Sequence, residues 1–290
     1  MNPATFEYHK AGSVPDAIAL LQKHAEDGKL LAGGHSLLPT MKLRLAEPAH
    51  LIDITGLADL RGVREDGGTI RIGALTTHQA IETDETLKRL CPLLPETARV
   101  VGDRQVRNRG TIGGALAHAD PAADYPAGIL ALDAAMVVQG PDGERTIAAG
   151  DFFVDLLTTS LAPDELLTEI RVPVSPAATG MSYQKLANQA SGYATVGVAA
   201  VVTLGADGTC QSARIGITGA VPSAVRATAT EQALQGKTLD EATVRAACDL
   251  AADGLDLMDD LHASADYRAQ VTRGLARRAV TTALGRARAG

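Results

Sequence analysis

The pattern of apolar and polar positions divides the chain into three parts. In the first, the run "SVPDAIALLQKHAEDG" has a Ser-Val-Pro start, an apolar stripe and a closing glycine, which predicts an amphipathic helix. The segments "KLLAGG" and "HLIDITG" predict two short buried strands, with an amphipathic helix around Thr40–Leu45 between them. Residues 14–59 are therefore expected to form a small unit of the βαβ type.

The second part, residues 69–173, mixes strand and helix patterns. "TIRIGALTT" and "AAMVVQG" predict strands, and "AIETDETLKRLCPLLPETARVV" predicts a helical run. Residues 100–127, "VVGDRQVRNRGTIGGALAHADPAADYPA", are rich in glycine and polar residues and predict a long loop. The regular alternation of a doubly wound sheet is missing, so the fold class is expected to be α+β.

The third part begins after "RVPVSPAATG". The segment "TVGVAAVVTLGADGTCQSARIGITGA" predicts an antiparallel hairpin around the turn "GADGT", and helices are expected from about residue 228 to 286. This change of pattern places a domain boundary near residues 175–180. We expect one domain over residues 1–176, with subdomains 1–59 and 60–176, and a second over 177–290.

Composition narrows the class of protein. A chain of 290 residues is long enough for two domains. Because it has no Trp and only three Phe, its cores must be built from Ala, Leu, Val and Ile, and each of the five Tyr needs an explanation. Acidic residues outnumber basic ones by 34 to 27, and the excess is spread along the chain, which argues against nucleic-acid binding.

Targeting and metal-binding patterns are also missing from the sequence. The start "MNPATFEYHKAGS" lacks a signal-peptide pattern, and no apolar run is long enough to cross a membrane, so a cytoplasmic protein is expected. The cysteines Cys91, Cys210 and Cys248 lie far apart without a Cys-x-x-Cys pair, which predicts neither a zinc site nor an iron–sulfur cluster. Any redox centre of this chain should therefore be organic.

The stretch "LLAGGHSLLPTMKLR", residues 30–44, puts a Gly-Gly pair directly after a predicted strand. Glycines there let the chain curl and turn several backbone N–H groups to one point, an arrangement that suits a phosphate. It matches neither the dinucleotide fingerprint nor the P-loop. Taken alone, it is equally compatible with a tight turn capped by Ser36, with His35 on the surface.

A second stretch, residues 100–127, again leads into a Gly-Gly pair, at Gly113 and Gly114, and then into small side chains and two carboxylates. Small residues let a large flat ligand lie against the backbone, and long loops in compact domains are usually functional. The alternative is a solvated loop with an exposed cluster of arginines, Arg104, Arg107 and Arg109.

Together, "AGGHSLLPTMKLR" and "TIGGALAHADPAADYP" resemble the two FAD-binding signatures of the flavin subunit of molybdenum hydroxylases, in the xanthine dehydrogenase superfamily. With "EIRVP" and "YQKLANQASGYATVGVA", the resemblance covers essentially the whole chain and is strongest to the medium subunit of aerobic carbon-monoxide-dehydrogenase-type enzymes. It implies a two-part FAD-binding domain of the PCMH/vanillyl-alcohol-oxidase type. A C-terminal domain of the CO dehydrogenase flavoprotein type should follow, with a small antiparallel sheet and helices.

The resemblance also implies which residues hold the non-covalent FAD. The first stretch would wrap the pyrophosphate, the second would form the other side of this clamp and continue along the sugar hydroxyls, and the third part would reach the ring. The implied cofactor-binding residues are Leu31, Ala32, Gly33, Gly34, His35, Ser36, Leu37, Val101, Gly102, Thr111, Ile112, Gly113, Gly114, Ala117, Asp120, Asp124, Leu167, Lys185 and Tyr193.

Three of these positions have specific implied roles. Asp124 would accept a hydrogen bond from a sugar or from the adenine end of FAD. Lys185 would lie near a carbonyl of the flavin ring and raise the electron affinity of the flavin, and Tyr193 would cover the flavin face. The alternatives are a surface lysine at Lys185 and a packing residue at Tyr193. Ala115 departs from the family, because many relatives have Asn there, so one side-chain hydrogen bond to FAD is in doubt.

The implied function is electron transfer without substrate chemistry, and no catalytic residue and no metal ligand is assigned. A small subunit with two [2Fe–2S] clusters would feed the FAD, a large molybdopterin subunit would oxidise the substrate, and a quinone or another external acceptor, reached at a membrane, would take the electrons. Such assemblies are usually dimers of heterotrimers. Two alternatives stay open: a self-sufficient flavin oxidoreductase of the same fold, and a flavin-free assembly module. The loop Ala117–Ala127 is the expected neighbour of the partner face.

Overall fold

The first unit is a parallel three-stranded sheet in the order β1-β3-β2, seen in a computed structural model that describes residues 2–289. Its elements are β1 (Glu7–Lys10), α1 (Val14–His24), β2 (Gly28–Leu31), α2 (Leu37–Lys42) and β3 (His50–Asp53), with a 3-10 turn at Ala25–Asp27. The Ser13 hydroxyl accepts the N–H of Asp16 and so caps α1. The predicted helix and strands are confirmed, β1 was missed, and α2 begins earlier than predicted.

The second unit is a five-stranded antiparallel sheet in the order β4-β5-β10-β6-β7, beside a two-stranded sheet of β8 and β9. Its strands are β4 (Val63–Asp66), β5 (Thr69–Gly73), β6 (Ala135–Gly140), β7 (Gly143–Ala148), β8 (Phe153–Asp155), β9 (Thr158–Thr159) and β10 (Leu166–Pro173). A 3-10 turn at Ala58–Leu60 precedes β4, and the short helix α9 (Ala149–Phe152) follows β7. The strands predicted in this part are confirmed.

Six short helices connect β5 to β6. They are α3 (His78–Thr83), α4 (Glu85–Leu90), α5 (Leu93–Arg99), α6 (Arg104–Arg109), α7 (Ile112–His118) and α8 (Tyr125–Ala131). The single helical run predicted here is divided, because the Asp84 carboxylate caps α4 and Pro92 interrupts the backbone after it.

The prediction of a long loop over residues 100–127 is wrong. Asp103 and Thr111 start α6 and α7 by accepting the N–H group three residues further on, and most of α7 is built from small side chains. Ala119 ends α7 in the left-handed conformation, with φ of 49°. Caps therefore form helices where the glycine content indicated a loop.

The third unit is a four-stranded antiparallel sheet in the order β11-β12-β13-β14, backed by helices. Its elements are β11 (Thr179–Ala187), β12 (Ala194–Leu204), β13 (Cys210–Thr218), β14 (Val225–Arg226), α10 (Thr228–Leu234), α11 (Glu241–Cys248) and α12 (Ala265–Ala289). The predicted hairpin around "GADGT" is confirmed, since β12 and β13 pair across it. The α+β class with a C-terminal antiparallel sheet and helices is likewise confirmed.

The hydrophobic core of the second unit extends into the third. Met181, Tyr183, Ala199 and Val201 from β11 and β12 pack in the same buried cluster as the strands and helices of the second unit. The predicted boundary between residues 176 and 177 lies in the connection from β10 to β11 and stays a prediction. Among the described residues, no helix is long and apolar enough to cross a membrane.

Candidate functional site

The segment that leaves β2 carries a row of backbone donors without protein acceptors. Within residues 2–289, no oxygen of the chain accepts the N–H groups of residues 32–37. The row curls because Gly34 has φ of 75°, a conformation that glycine adopts without strain, and its carbonyl accepts the N–H of Leu38. Half-buried donors need an acceptor, and a curled row of them is a binding place for an anion.

Gly33 packs this row against the second glycine-rich segment. A Cβ on Gly33 would collide with the carbonyl oxygen of Arg109 and would lie 2.7 Å from the Cα of Gly110. A cavity of about 90 Å³ opens where the segments meet, and Arg61, Asn108 and Arg109 are part of its lining. Arginine residues beside unpaired N–H groups suit a phosphate-bearing ligand.

The second Gly-Gly pair does not offer free backbone donors, because its N–H groups already donate to acceptors within the protein. The N–H groups donate from Ile112 to Thr76, from Gly113 to Ala74, and from Gly114 and Ala115 to Thr111. A Cβ on Gly113 would lie 2.5 Å from the Cβ of Ala74, so only glycine fits between α7 and the segment after β5. What this side of the predicted clamp offers a ligand is close approach to small side chains.

Tyr193 lies beside both glycine-rich segments. Burial of part of the ring raises the pKa of its hydroxyl, the nearby Asp120 carboxylate raises it further, and a hydrogen bond with the Ser36 hydroxyl opposes them. The side chain is still 41% exposed, and Ala117 on α7 is exposed too. The partly exposed phenol thus lies near Ser36 and Asp120, and its contact with a ligand stays a prediction.

A buried ion pair joins the second unit to β11. The Lys185 ammonium donates to one Asp124 oxygen at 2.9 Å, and the Tyr183 hydroxyl donates to the other at 2.7 Å. The Lys185 and Asp124 side chains are each only 6% exposed, which excludes the surface-lysine alternative. Burial raises the pKa of the Asp124 carboxyl above its ordinary value, while Lys185 and Tyr183 work against this rise.

Both Asp124 oxygens therefore already accept a hydrogen bond from the protein. The expected hydrogen bond from a sugar hydroxyl would have to share one of them, which a carboxylate oxygen with two lone pairs allows. That contact stays a prediction. Tyr183, whose hydroxyl donates one of the two hydrogen bonds to Asp124, was not among the predicted site residues.

Cations also hold the turn that contains Val101 and Gly102. Lys185 donates to the Val100 carbonyl at 3.0 Å, and Arg107 donates to the next two carbonyls, at 3.3 and 3.1 Å. The Arg107 guanidinium in turn lies 2.9 Å from the Glu82 carboxylate and is only 13% exposed. Arg107 is thus a buried support of this turn and does not belong to an exposed basic cluster.

Leu167 lies at an irregularity of β10. The pairing of β10 with β6 shifts register between Leu167 and Glu169, and the freed Thr168 carbonyl accepts the N–H of Ala74. Ala74 itself accepts the N–H of Gly113. The bulge therefore connects Leu167 to the second Gly-Gly pair, although Leu167 as a whole residue is only 4% exposed. Its contact with a ligand stays a prediction.

The comparisons with known proteins bear on the same segments. A family model described as "FAD binding domain in molybdopterin dehydrogenase" matches residues 4–175, more than half of the chain. The chain belongs to the FAD-binding subunits of molybdenum hydroxylases. A second model, "CO dehydrogenase flavoprotein C-terminal domain", matches residues 181–283 of this flavoprotein subunit. The resemblance drawn from the Gly-Gly signatures is confirmed.

Relatives match the flavoprotein subunit over its length. It is 43% identical to the carbon monoxide dehydrogenase medium chain of Hydrogenophaga pseudoflava, covering 99% of each chain. It is 40% identical to the 6-hydroxypseudooxynicotine dehydrogenase complex subunit alpha of Paenarthrobacter nicotinovorans, covering 99% of this chain and 97% of the relative. The solved carbon monoxide dehydrogenase of Hydrogenophaga pseudoflava that lacks the Mo-pyranopterin moiety superposes with a TM-score of 0.95, at 45% identity and 99% coverage of both chains.

FAD is the cofactor of this family, and the described residues fit it. The N–H row over residues 32–37, unpaired among the described residues, and the cavity beside it suit the negative charge of a diphosphate. Gly33 lets the two segments approach more closely than a Cβ would allow. The structure brings together the predicted residues of both Gly-Gly segments, Tyr193 and Asp120. It places Lys185, Asp124 and the turn at Val101 and Gly102 in a second group.

Sequence reasoning missed three supporting side chains of the flavoprotein subunit: Tyr183, Arg107 and His78. The scarcity of tyrosine marked Tyr183 as a residue to explain, but nothing in the sequence paired it with Asp124. His78 begins α3, its backbone N–H donates to the Gly110 carbonyl, and a Cβ on Gly110 would lie 2.6 Å from its ring nitrogen Nε2. His78 thus supports the backbone against which Gly33 packs.

We expect the flavoprotein subunit to lose stability in acid through His78. Burial, with smaller effects of the nearby His35 and Arg107 side chains, lowers the pKa of His78 to about 4. In the unfolded chain, His78 becomes protonated near pH 6.5, whereas in the folded chain it does so only near pH 4. The free energy of unfolding should therefore be unaffected by His78 above pH 6.5 and decrease by about 3 kcal/mol as the pH falls to about 4. Denaturant unfolding measured across this pH range tests the expectation.

The variant His78→Gln should flatten this part of the pH profile, because glutamine does not titrate. His262→Gln, at an exposed histidine outside the site, is the matched control and should keep the wild-type slope. Equal slopes for the wild type and His78→Gln would show that His78 does not carry the effect.

Proposed function

We propose that the flavoprotein subunit takes electrons from [2Fe–2S] clusters of a small partner subunit and passes them to an external acceptor such as a quinone. The observation that carries the proposal is the row of unpaired N–H groups over residues 32–37, because it provides the diphosphate site that a dinucleotide cofactor needs. When bound, the flavin supplies the link between donors that release single electrons and an acceptor that takes two.

In this proposal, the first glycine-rich segment binds the pyrophosphate through its backbone N–H groups. The second segment lets the pyrophosphate lie close to the backbone, because its side chains are small. Ala32, Gly33, Gly34, His35 and Ser36 donate, with Leu31 and Leu37 at the ends of the row, and Thr111, Ile112, Gly113 and Gly114 form the opposite wall. The support is the difference in hydrogen bonding. In the part of the chain that the structure describes, the N–H groups of residues 32–37 have no acceptor, whereas those of residues 112–115 donate to other residues of the protein.

The ring end is assigned to the second group of residues. Val101, Gly102 and the Leu167 backbone would border the flavin, Tyr193 would cover one face, and Ala117 and Asp120 would follow the sugar hydroxyls. Lys185 would act near the ring carbonyl, yet its charge is largely balanced by Asp124 at 2.9 Å. Its main contribution is therefore to hold the Val100 carbonyl, and with it the turn that borders the ring.

The assembly we propose has a large molybdopterin subunit and a small iron–sulfur subunit, as a cytoplasmic dimer of heterotrimers whose acceptor brings it to a membrane. The names of relatives support a multi-subunit complex, since they are a "medium chain" and a "complex subunit alpha". These names concern carbon monoxide and a nicotine derivative. Because the substrate would be oxidised on the large subunit, the flavoprotein subunit itself does not select it.

We propose a partner face other than the loop Ala117–Ala127 that the sequence indicated. Residues 117–127 are largely held within the chain: Asp124 and the three residues after it are buried, and the Thr218 hydroxyl donates to the carbonyls of Pro121 and Ala123. Large apolar side chains are instead exposed on and after α2, next to the diphosphate row. They are Leu38, Leu43 and Leu45, with Leu45 76% exposed.

We expect the FAD-loaded subunit to be reduced by its small iron–sulfur partner and to stay oxidised when the substrate of the complex is added to it alone. The variant Leu45→Asp should slow reduction by the partner about tenfold, because a charge in an apolar contact weakens association, while the FAD content is unchanged. Stopped-flow bleaching of the flavin absorption at fixed partner concentration measures both rates.

Leu261→Asp, at a fully exposed leucine between α11 and α12, is the matched control and should behave as the wild type. Reduction of the isolated subunit by substrate would contradict the proposal and favour a self-sufficient oxidoreductase. A purified chain that takes up no FAD would favour the assembly module. Equal rates for the two aspartate variants would move the partner face away from α2.

A further inference from the structure

Three histidines meet at the edge of the first sheet, outside the FAD site. His9 lies on β1, His50 begins β3, and His24 is the last residue of α1. One ring nitrogen of each lies within 4.8 Å of one nitrogen of each of the others, and the residues are half-buried. The site residues of the flavoprotein function do not include any of them.

Strand register explains how two of these side chains reach one face. In the parallel pairing of β1 with β3, Glu7 lies opposite His50. Alternate residues of a strand share a face, so Glu7, His9 and His50 all project from the face on which α1 packs its apolar side. The closest approach is between His9 Nε2 and His50 Nδ1, at 3.1 Å.

Gly28 lets the third histidine join them. Gly28 pairs with His50 across β2 and β3, and a Cβ on it would lie 3.2 Å from the Cβ of His24. The φ of Gly28 is −89°, which any residue adopts, so the glycine is needed for space and not for backbone conformation. Because Gly28 has no side chain, the end of α1 can pack close to the sheet, and His24 then lies beside His50.

The cluster is not a satisfied hydrogen-bond network. His24 Nε2 is buried and has no hydrogen-bond partner within residues 2–289, and the contact between His9 and His50 occupies one nitrogen of each. Buried polar side-chain atoms in proteins ordinarily have a hydrogen-bond partner, so His24 Nε2, facing two other imidazoles, points to a ligand that is not a protein group.

The separations resemble those of ligand atoms around a tetrahedral metal ion. Nitrogen ligands at 2.0–2.1 Å from zinc lie about 3.4 Å from one another in that geometry. The distance between His9 and His50 nitrogens is 3.1 Å, and a Glu7 oxygen lies 3.5 Å from His50 Nδ1 and 3.9 Å from His9 Nε2. The exposed Glu7 side chain is thus close enough to serve as the fourth ligand.

We propose that His9, His24 and His50 bind a divalent transition-metal ion such as Zn²⁺, with Glu7 at the fourth position. The ring centroids of His24 and His50 lie 3.7 Å apart, so the His24 ring would turn away from His50 to bind the ion. The ion fastens the end of α1 to β1 and β3. Because β2 carries the diphosphate row at its other end, the site is structural and separate from electron transfer.

The test uses the tag-free full-length chain, freed of metal by a chelator and titrated with Zn²⁺ in a calorimeter. We expect one equivalent to bind. At zinc concentrations about 100-fold above the dissociation constant, the midpoint of thermal unfolding should rise by about 5 °C. Co²⁺ should give the intense visible absorption of a tetrahedral site. Absence of saturable binding would overturn the proposal.

Variants locate the ion. His24→Gln and His50→Gln should each weaken Zn²⁺ binding at least about tenfold. Gly28→Ala should weaken it as well, because the new Cβ displaces His24. His262→Gln, at an exposed histidine, is the control and should bind as the wild type. FAD content, measured in parallel, reports folding of each variant. A folded His24→Gln variant with wild-type zinc affinity would refute the site.

Discussion

Gly33→Ala is expected to lower FAD affinity roughly 5- to 150-fold, which corresponds to about 1–3 kcal/mol of overpacking. The new methyl group would overlap the Arg109 carbonyl and crowd the Gly110 Cα. Both are backbone atoms, which cannot turn aside as a side chain can, so the two segments must separate and the donor row must shift. Flavin content after purification and fluorescence titration with FAD measure the loss.

Two comparisons sharpen this experiment. Gly274→Ala, in α12, adds a methyl group into open space and should leave FAD binding unchanged. Gly113→Val, against Ala74, should also strip the flavin. His35→Ala should keep most of it, because His35 contributes its backbone. If His35→Ala loses the flavin while Gly33→Ala and Gly113→Val retain it, side chains and not backbone donors bind the diphosphate.

Lys185→Met should lower the free energy of unfolding by about 3–5 kcal/mol, because it leaves the Asp124 carboxylate buried without its cation. Methionine keeps the length and apolar bulk of the lysine stem, so lost packing contributes little. The Val100 carbonyl also loses its donor, which should loosen the turn at Val101 and Gly102. Denaturant unfolding of the apoprotein measures the change.

The pH dependence identifies the cause. Burial raises the pKa of Asp124, and without Lys185 the rise should be larger. A carboxyl whose pKa is raised in the folded state binds a proton that the unfolded chain has released, so acid favours the folded variant. The deficit of Lys185→Met should therefore shrink from about pH 8 to about pH 5.

The double variant Asp124→Asn, Lys185→Met is the control. It removes both charges, leaves Tyr183 with an amide oxygen to donate to, and should recover much of the lost stability. If the double variant is no more stable than Lys185→Met, the loss comes from packing and not from an uncompensated charge.

Local sequence patterns predicted most of the strands and the helix of the first unit, because alternation and caps are short-range signals. They failed over residues 100–127, where Asp103 and Thr111 start helices in a segment whose glycines favoured a loop. They also ran α3, α4 and α5 together, since the break at Asp84 depends on a cap that serves two helices.

The FAD-binding segments could be recognised from the sequence, but the sequence did not show which of them has free backbone donors. Both Gly-Gly pairs look alike as sequence. Only the structure shows that Gly113 donates to Ala74 while the N–H groups of residues 32–37 have no acceptor among the described residues. Likewise, the distance of 61 residues between Asp124 and Lys185 hid their ion pair, because no short-range pattern connects an acid before α8 with a lysine on β11.

The ion pair between Asp124 and β11 has a consequence for building hybrid subunits. A chimera that joins the first two units of this chain to the C-terminal sheet of a relative would keep Asp124 but replace Lys185. It would also replace the residues of β11 and β12 that complete the shared hydrophobic core. It should assemble only if the donor sheet brings a lysine and a tyrosine at the positions of Lys185 and Tyr183. The two regions recognised by separate family models thus form one exchangeable module, and a junction between them must preserve this pair.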